Sequence, residues 1–232
     1  GRGVAALRSA GIEVDVGVRA EMIAQELGPY LHHRSTGRPF VVLKLAASLD
    51  GRIAAPDRSS KWITGQADRQ FAHRLRAESD AVLVGAATVR ADDPELTVRD
   101  WRPAEGVVAQ GLDPKRLVVG TEPAGARIHP CEELSGSPAQ ILDDLGADGV
   151  LQLLLEGGAG VAGQFHAAGL IDRYELLFAP MLFGGSRAVP MFAGDGAQNI
   201  ASVWRGRIEQ VGMIGHDIHV TLLPPVPDGT EL

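Results

Sequence analysis

Residues 151–163 read LQLLLEGGAGVAG, an apolar run that passes through one carboxylate, Glu156, into glycines spaced G-x-G-x-x-G at Gly158, Gly160 and Gly163. A buried strand that ends in glycines and reopens as a helix leaves unpaired backbone N–H groups converging on one spot. The helix dipole makes that spot favour an anion such as a pyrophosphate. Nucleotide binding is the first expectation, although a close strand-to-helix turn that needs only small residues would carry the same glycines.

The array does not fit the usual dinucleotide fold, in which the fingerprint lies in a first βαβ unit with an acidic residue roughly 20 positions on. Here it lies two thirds of the way along the chain. Asp172 and Glu175 follow too soon, and Asp195 comes too late and in a glycine-rich loop. A dinucleotide bound by this chain would use another fold.

A chain of 232 residues can form a single α/β domain. The net charge of −7 and the scattered basic residues argue against a nucleic-acid surface. No apolar stretch reaches membrane-spanning length and the first residues have no signal-peptide core, so no membrane partner and a cytoplasmic location are expected. The single cysteine, Cys131, excludes a C-x-x-C metal site. It lies in a polar stretch with no basic neighbour and is expected to be incidental. The histidines show no H-x-x-x-H or H-E-x-x-H spacing, so no metal is expected.

Patterning divides the chain into alternating elements. A short helix-like piece breaks at Gly11, a helical segment covers about 20–32, and Ser35 to Pro39 punctuate it. Residues 40–47 (FVVLKLAA) read as a central strand buried on both faces. Helices follow at about 66–78, capped by Thr64, at 86–90 and at 138–145. Further strands are expected at 81–84, 116–120, 174–179, 201–210 and 216–223, with 96–99 extended. Strands alternating with helices and then strands alone give a mainly parallel sheet flanked by helices, with antiparallel C-terminal strands at one edge.

Three features ask for more than a packing role. Lys44 is the one charge in a buried strand, so it lies at the strand's open end or serves a function. Asp92 and Asp93 end a short helix where the dipole disfavours negative charge, which calls for a cation or ligand. Trp62 stands in a polar loop, as an aromatic wall for a flat ligand or as a plug.

Residues 44–54 (KLAASLDGRIA), 60–64 (SKWIT), 73–76 (HRLR), 81–99 (AVLVGAATVRADDPELTVR), 155–165 (LEGGAGVAGQF) and 179–184 (APMLFG) closely resemble, in collinear order, the reductase domain of the bifunctional riboflavin-biosynthesis deaminase/reductase. The likeness covers about 38–222. It implies a dihydrofolate-reductase-like α/β fold, NADPH as cofactor, and reduction of 5-amino-6-(5-phosphoribosylamino)uracil to its ribityl phosphate. The late glycine array agrees with that fold.

Carried over by position, the resemblance places Ala46, Trp62, Thr88, Asp92, Thr121 and the loop Gly158, Ala159, Gly160, Val161, Ala162, Gly163, Gln164 against NADPH. It places Ser60, Arg76, Leu96, Arg99 and Glu156 against the substrate. Arg76 and Arg99 suit phosphate oxygens, though Arg76 would also serve as a solvent-facing helix residue and Arg99 as a partner of Asp92 or Asp93. In the implied hydride transfer to the sugar C1′, Lys44 supplies a positive field or holds a pyrimidine carbonyl, unless it merely snorkels. Glu156 holds ribosyl hydroxyls or caps the amides of the following loop.

Residues 1–37 resemble the tail and linker of the preceding deaminase domain, with 38–225 as the reductase and 226–232 as a tail. His166 occupies a helix position where an apolar residue is expected. The apolar C-terminal strands and the family's habit of pairing there imply a homodimer. Two other functions fit the chain less well. One is a fold relative reducing another pterin-like or pyrimidine substrate, of which a phosphate-free pterin would not require the arginines; the other is a silent nucleotide-binding domain, disfavoured by the joint presence of Lys44, Glu156, Asp92 and the glycine loop.

Overall fold

In the computed structural model, which describes residues 1–60, 63, 65–99, 101–103 and 113–225, the apolar run that contains Lys44 forms β1 (Phe40–Ser48) inside an eight-stranded sheet. The chain then makes β3 (Ala81–Gly85), β4 (Lys115–Val119) and β5 (Glu132–Leu134), which step outward to one edge. It returns to insert β6 (Gln152–Leu155) between β3 and β1, and places β7 (Arg173–Ala179) on the far side of β1. These six strands are parallel. The hairpin β9 (Arg207–Ile214) and β10 (Asp217–Leu223) extends the sheet antiparallel from β7. A separate two-stranded ribbon joins β2 (Arg52–Ala54) to β8 (Val189–Pro190).

The period-two alternation of each strand supplies two cores. Val41, Leu43, Leu45 and Ala47 of β1 pack with α6 (Pro138–Ala147) and α7 (Ala159–Ala167). Val42, with Val82, Val84, Val118 and Leu154, packs with Leu75 of α4 (Gln66–Ala77) and Val89 of α5 (Ala86–Asp92). Near-continuous burial therefore replaces the polar-out pattern, as a sheet covered on both faces requires.

Several expectations shift. The helix at about 20–32 is two helices, α2 (Ala20–Glu26) and α3 (Gly28–Thr36), because Pro29 begins a new helix rather than continuing one. Neither α1 (Arg2–Ser9) nor α2 buries a residue. The preceding segment is instead anchored by His33 of α3, whose Nε2 lies 2.9 Å from the Gly146 carbonyl of α6. The strand expected from 201 starts at Arg207, after a 3₁₀ turn at Ile200–Ser202 capped by the Asn199 side chain. Residues 96–99 are not a strand, and Leu96 adopts a left-handed φ of 52°. Gly65 begins α4, and the proposed cap Thr64 lies outside the described residues. Among the described residues, no helix is long and apolar enough to cross a membrane.

His166 joins an aromatic group instead of breaking the core. Its Nδ1 lies 2.9 Å from the Tyr174 hydroxyl, and its ring packs on Phe192 and Trp204. Burial lowers its pKa, so the neutral ring suits that setting.

The glycines of α7 serve different ends. A Cβ on Gly163 would sit 1.8 Å from the Ala193 carbonyl oxygen, whereas one on Gly160 would meet nothing within 4 Å. Gly163→Ala should therefore cost about 2 kcal/mol or more in denaturant unfolding, since backbone must move. Gly160→Ala should leave stability unchanged or slightly raised, as alanine favours a helix. Equal losses in the two variants would contradict this division.

Candidate active site

The C-terminal ends of β1, β3, β4 and β6 open on one cleft of about 1140 Å³. Ligands of parallel sheets bind at such ends, beside the point where the strand order reverses. Here the return of β6 creates that point. Both β3 and β6 deliver their glycine turns to the same wall: the Gly85 N–H donates to the Gly157 carbonyl at 3.2 Å.

Lys44 lies within β1, not at its open end. Leu43 pairs with Leu155 on one side, and Lys44 itself pairs with Glu175 on the other. The next step of the β1–β6 register sets Glu156 beside Lys44, and both residues line the cleft. Glu156 is gripped from behind by Arg76 of α4, with Nε to Oε1 at 2.5 Å and Nη2 to Oε2 at 2.7 Å. Both side chains are 11% exposed. Arg76 Nη1 also donates to the Thr97 carbonyl at 3.1 Å, so the guanidinium binds α4 to β6 and to the 97–99 segment at once.

The charges are set by this enclosure. Burial is the largest influence on Lys44 and lowers its pKa; Glu156 opposes, Arg76 adds to the lowering, and Asp68 opposes. Burial also works against the Glu156 carboxylate, but Arg76, then Lys44 and His73, outweigh it and hold the pKa below the usual value. Burial likewise disfavours the Arg76 cation, and Glu156 more than restores it. The result is a fixed carboxylate beside an ammonium that gives up its proton more readily than an ordinary lysine.

Along the far wall, the first turn of α7 presents its backbone. Ala162 N–H makes the first bond of the helix, to Gly158 O, leaving the amides of Ala159, Gly160 and Val161 facing the cleft end. The Gly158 amide is not among them, because it donates to the Thr88 hydroxyl at 2.8 Å. Three helix N-terminal amides without a partner among the described residues suit a phosphate, and the neighbouring Leu45, Ala46, Ile53 and Val119 give an apolar floor for flat rings. The chain's own groups thus fit a nicotinamide dinucleotide.

Of the residues singled out in the sequence, Lys44, Glu156, Ala46, Ser60, Thr88, Asp92, Thr121, Gly158, Ala159, Gly160, Val161 and Gln164 line the cleft. Ala162 is fully buried in the core, and Gly163 packs on Ala193. Arg76 stands behind Glu156 and is neither solvent-facing nor free to fork onto a phosphate. Leu96 is 2% exposed in the second core. Arg99 pairs with Glu95, earlier in the same extended segment, rather than with Asp92 or Asp93. Asp93 needs no cation, since its carboxylate accepts the Arg127 amide at 2.8 Å, while Asp92 accepts from Ser60 at 3.2 Å. Trp62 lies outside the described residues. Both carboxylate oxygens of Glu156 are on Arg76, not on loop amides.

Sequence reasoning missed Arg58, Arg69 and Arg90, which also line the cleft. Arg90 was reachable, because it lies between Thr88 and Asp92 on a short helix.

The RibD C-terminal domain family matches residues 39–220. The chain belongs to that family. The riboflavin biosynthesis protein RibD of Mycobacterium tuberculosis is 40% identical over 96% of the chain and 66% of that protein. Among solved structures, Acinetobacter baumannii RibD superposes with a TM-score of 0.85 at 34% identity, covering 97% of this chain and 69% of that one. The Thermotoga maritima diaminohydroxyphosphoribosylaminopyrimidine deaminase/5-amino-6-(5-phosphoribosylamino)uracil reductase gives a TM-score of 0.82 at 27% identity, covering 97% and 68%. Enterococcus faecalis dihydrofolate reductase shares the fold, with a TM-score of 0.52 at 15% identity over 81% of this chain and 97% of that one. The chain thus spans about two thirds of the length of its RibD relatives. Membership makes it a reductase-type α/β domain of the riboflavin-biosynthesis group.

Lys44 costs stability where it stands. Its folded pKa lies below the unfolded value of 10.5, so the penalty is full below the folded pKa and is relieved as pH rises toward 10.5. Lys44→Met should raise stability at pH 7 by about 1 kcal/mol and flatten the alkaline rise that this group contributes. A variant less stable than the parent at pH 7 would show instead that Glu156 needs the ammonium to remain folded.

Proposed function

We propose that the chain reduces 5-amino-6-(5-phosphoribosylamino)uracil to 5-amino-6-(5-phosphoribitylamino)uracil with NADPH, as the reductase step of riboflavin biosynthesis. The observation that carries this reading is Lys44 beside an Arg76-clamped Glu156 on the floor of a cleft whose wall is a phosphate-suited helix N-terminus. Membership of the RibD family supports it. The cofactor, when bound, supplies the hydride.

The chain's residues do the rest. The amides of Ala159, Gly160 and Val161 hold the pyrophosphate, while Thr88 keeps the turn in shape through the Gly158 amide. Glu156 accepts hydrogen bonds from the ribosyl hydroxyls with lone pairs that Arg76 leaves unused, which orients C1′ of the ring-opened, imine form. Lys44 meets the negative charge that develops on the C1′ nitrogen system as hydride arrives, and its lowered pKa suits it to pass a proton there. Arg90 extends the binding site at the rim, where its Nη1 donates to the Thr121 carbonyl at 3.0 Å. Its remaining donors suit a ribose 2′-phosphate, which favours NADPH over NADH.

We assign the soluble form as a homodimer built on β9. Its Ile208, Val211 and Met213 are each about 60% exposed on an edge strand. An uncovered apolar edge invites pairing with a second copy across a two-fold axis.

Purified chain should oxidise NADPH only when the phosphoribosylaminouracil is supplied. Glu156→Gln should cut kcat by about a hundredfold while changing the NADPH dissociation constant less than threefold, because the residue faces the sugar. Equal loss of NADPH binding would move Glu156 to the cofactor. Arg90→Ala should weaken NADPH by about tenfold, the worth of one charge-assisted bond, and leave NADH unchanged. Parallel losses for both cofactors would take the 2′-phosphate elsewhere. Light scattering at micromolar concentration should return twice the 24.5 kDa chain mass, and a clean monomer would refute the dimer.

A further inference from the structure

The loop from β4 to β5 brings together three residues of different donor type. Glu122, His129 and Cys131 each offer one ligand atom, and these atoms lie within 4.8 Å of one another. His129 Nε2 stands 2.9 Å from Glu122 Oε1, and Cys131 Sγ stands 3.7 Å from His129 Nδ1. Glu122 is 11% exposed, and its Oε2 is buried without a hydrogen-bond partner among the described residues. An enclosed carboxylate oxygen left unpaired costs free energy, and an ion that completes it is one of the few explanations a folded protein allows. The backbone around Glu122 is itself fixed, since its N–H donates to Glu133 Oε1 at 2.9 Å.

We infer that Glu122, His129 and Cys131 form a binding site for one borderline-soft divalent cation of the zinc class, separate from the cleft. One thiolate, one imidazole and one carboxylate are a donor set that such cations take, with water filling the fourth position. Metal–ligand bonds of about 2.0–2.3 Å place tetrahedral donors about 3.3–3.8 Å apart, so Cys131 Sγ and His129 Nδ1 already stand at that spacing, while Glu122, now on the opposite ring nitrogen Nε2, has to turn toward the Nδ1 edge. The 43% exposed His129 side chain has room for the remaining adjustment. Neither hard cations nor anions suit the set, because the first disfavour sulfur and the second meet a carboxylate. The spacing Glu-x₆-His-x-Cys matches no familiar metal motif, which hid it from the sequence. The adjoining Thr121 lines the cleft, so the cation would sit behind its wall.

Cobalt(II) tests the site directly, because thiolate coordination gives a near-ultraviolet charge-transfer band that oxygen and nitrogen ligands do not. Titration of chelator-treated, reduced chain should give that band with saturation at one equivalent, and zinc should bleach it. Cys131→Ser should abolish the band, and Glu122→Gln should weaken cobalt binding at least tenfold, with circular dichroism reporting that each variant is folded. Absence of a stoichiometric charge-transfer band in the unmutated chain would overturn the inference without recourse to any variant. An unchanged band in Cys131→Ser would do the same.

Discussion

The bidentate contact between Arg76 and Glu156 joins residues 80 positions apart and fixes the geometry of everything that faces the cleft. Glu156 is the first residue beyond β6, the strand that the chain inserts last among β3, β6 and β1. Only after that insertion does the carboxylate come beside Lys44, and only then does α7 start over the ends of the parallel strands. Burying the pair is not an efficient way to stabilise a fold, since an apolar pair of similar volume would do as well or better. Removing one partner, in contrast, strands the other charge and costs about 3–5 kcal/mol. The pair is thus a constraint that the chain maintains against its own stability, which is in keeping with the orienting role proposed for Glu156.

Lys44 follows the same logic. A strand that is otherwise apolar from Phe40 to Ala47 carries one ammonium in mid-strand, where burial lowers its pKa and two sheet neighbours are carboxylates. A core residue there would be cheaper. The free energy lost at Lys44 and at the enclosed ion pair is offset by the two leucine- and valine-rich cores above and below, each buried by helices. Stability is supplied by the sheet faces, and the charged groups gather on the side of the sheet where the cleft opens.

Long signals were readable from the sequence and short or distant ones were not. The runs that became β1, β3, β6 and β7 exceed what a loop can carry, and the glycine array announced the start of α7. The short strands β2, β5 and β8, two or three residues each, are too brief to display a period. Twelve of the site residues named from pattern and resemblance reach the cleft, most of them in or just beyond elements that converge on the C-terminal side of the sheet. Of the others, Trp62 lies outside the described residues, and the rest are held away from the cleft or engaged by contacts that spacing does not reveal. Gly163 looks like a ligand glycine until Ala193, thirty residues on, is seen against it. Arg76 looks like a phosphate fork until its donors are found on Glu156 and Thr97. The pairing of Arg99 with Glu95 was the one local miss, an i,i+4 contact overlooked in favour of the nearby Asp92 and Asp93. His166 shows the reverse case, a polar residue at a core position whose aromatic partners come from three later segments.

In the proposed reaction, Lys44 and the clamped Glu156 present C1′ of a phosphoribosylaminouracil to hydride delivered from a dinucleotide held by α7. NADPH carrying deuterium at the transferable position of its nicotinamide ring tests it most directly, with the product analysed by NMR and mass spectrometry. One deuterium per product molecule is expected, located on C1′ of a ribityl chain. Product without deuterium at C1′, or no product with both ligands saturating, would contradict it.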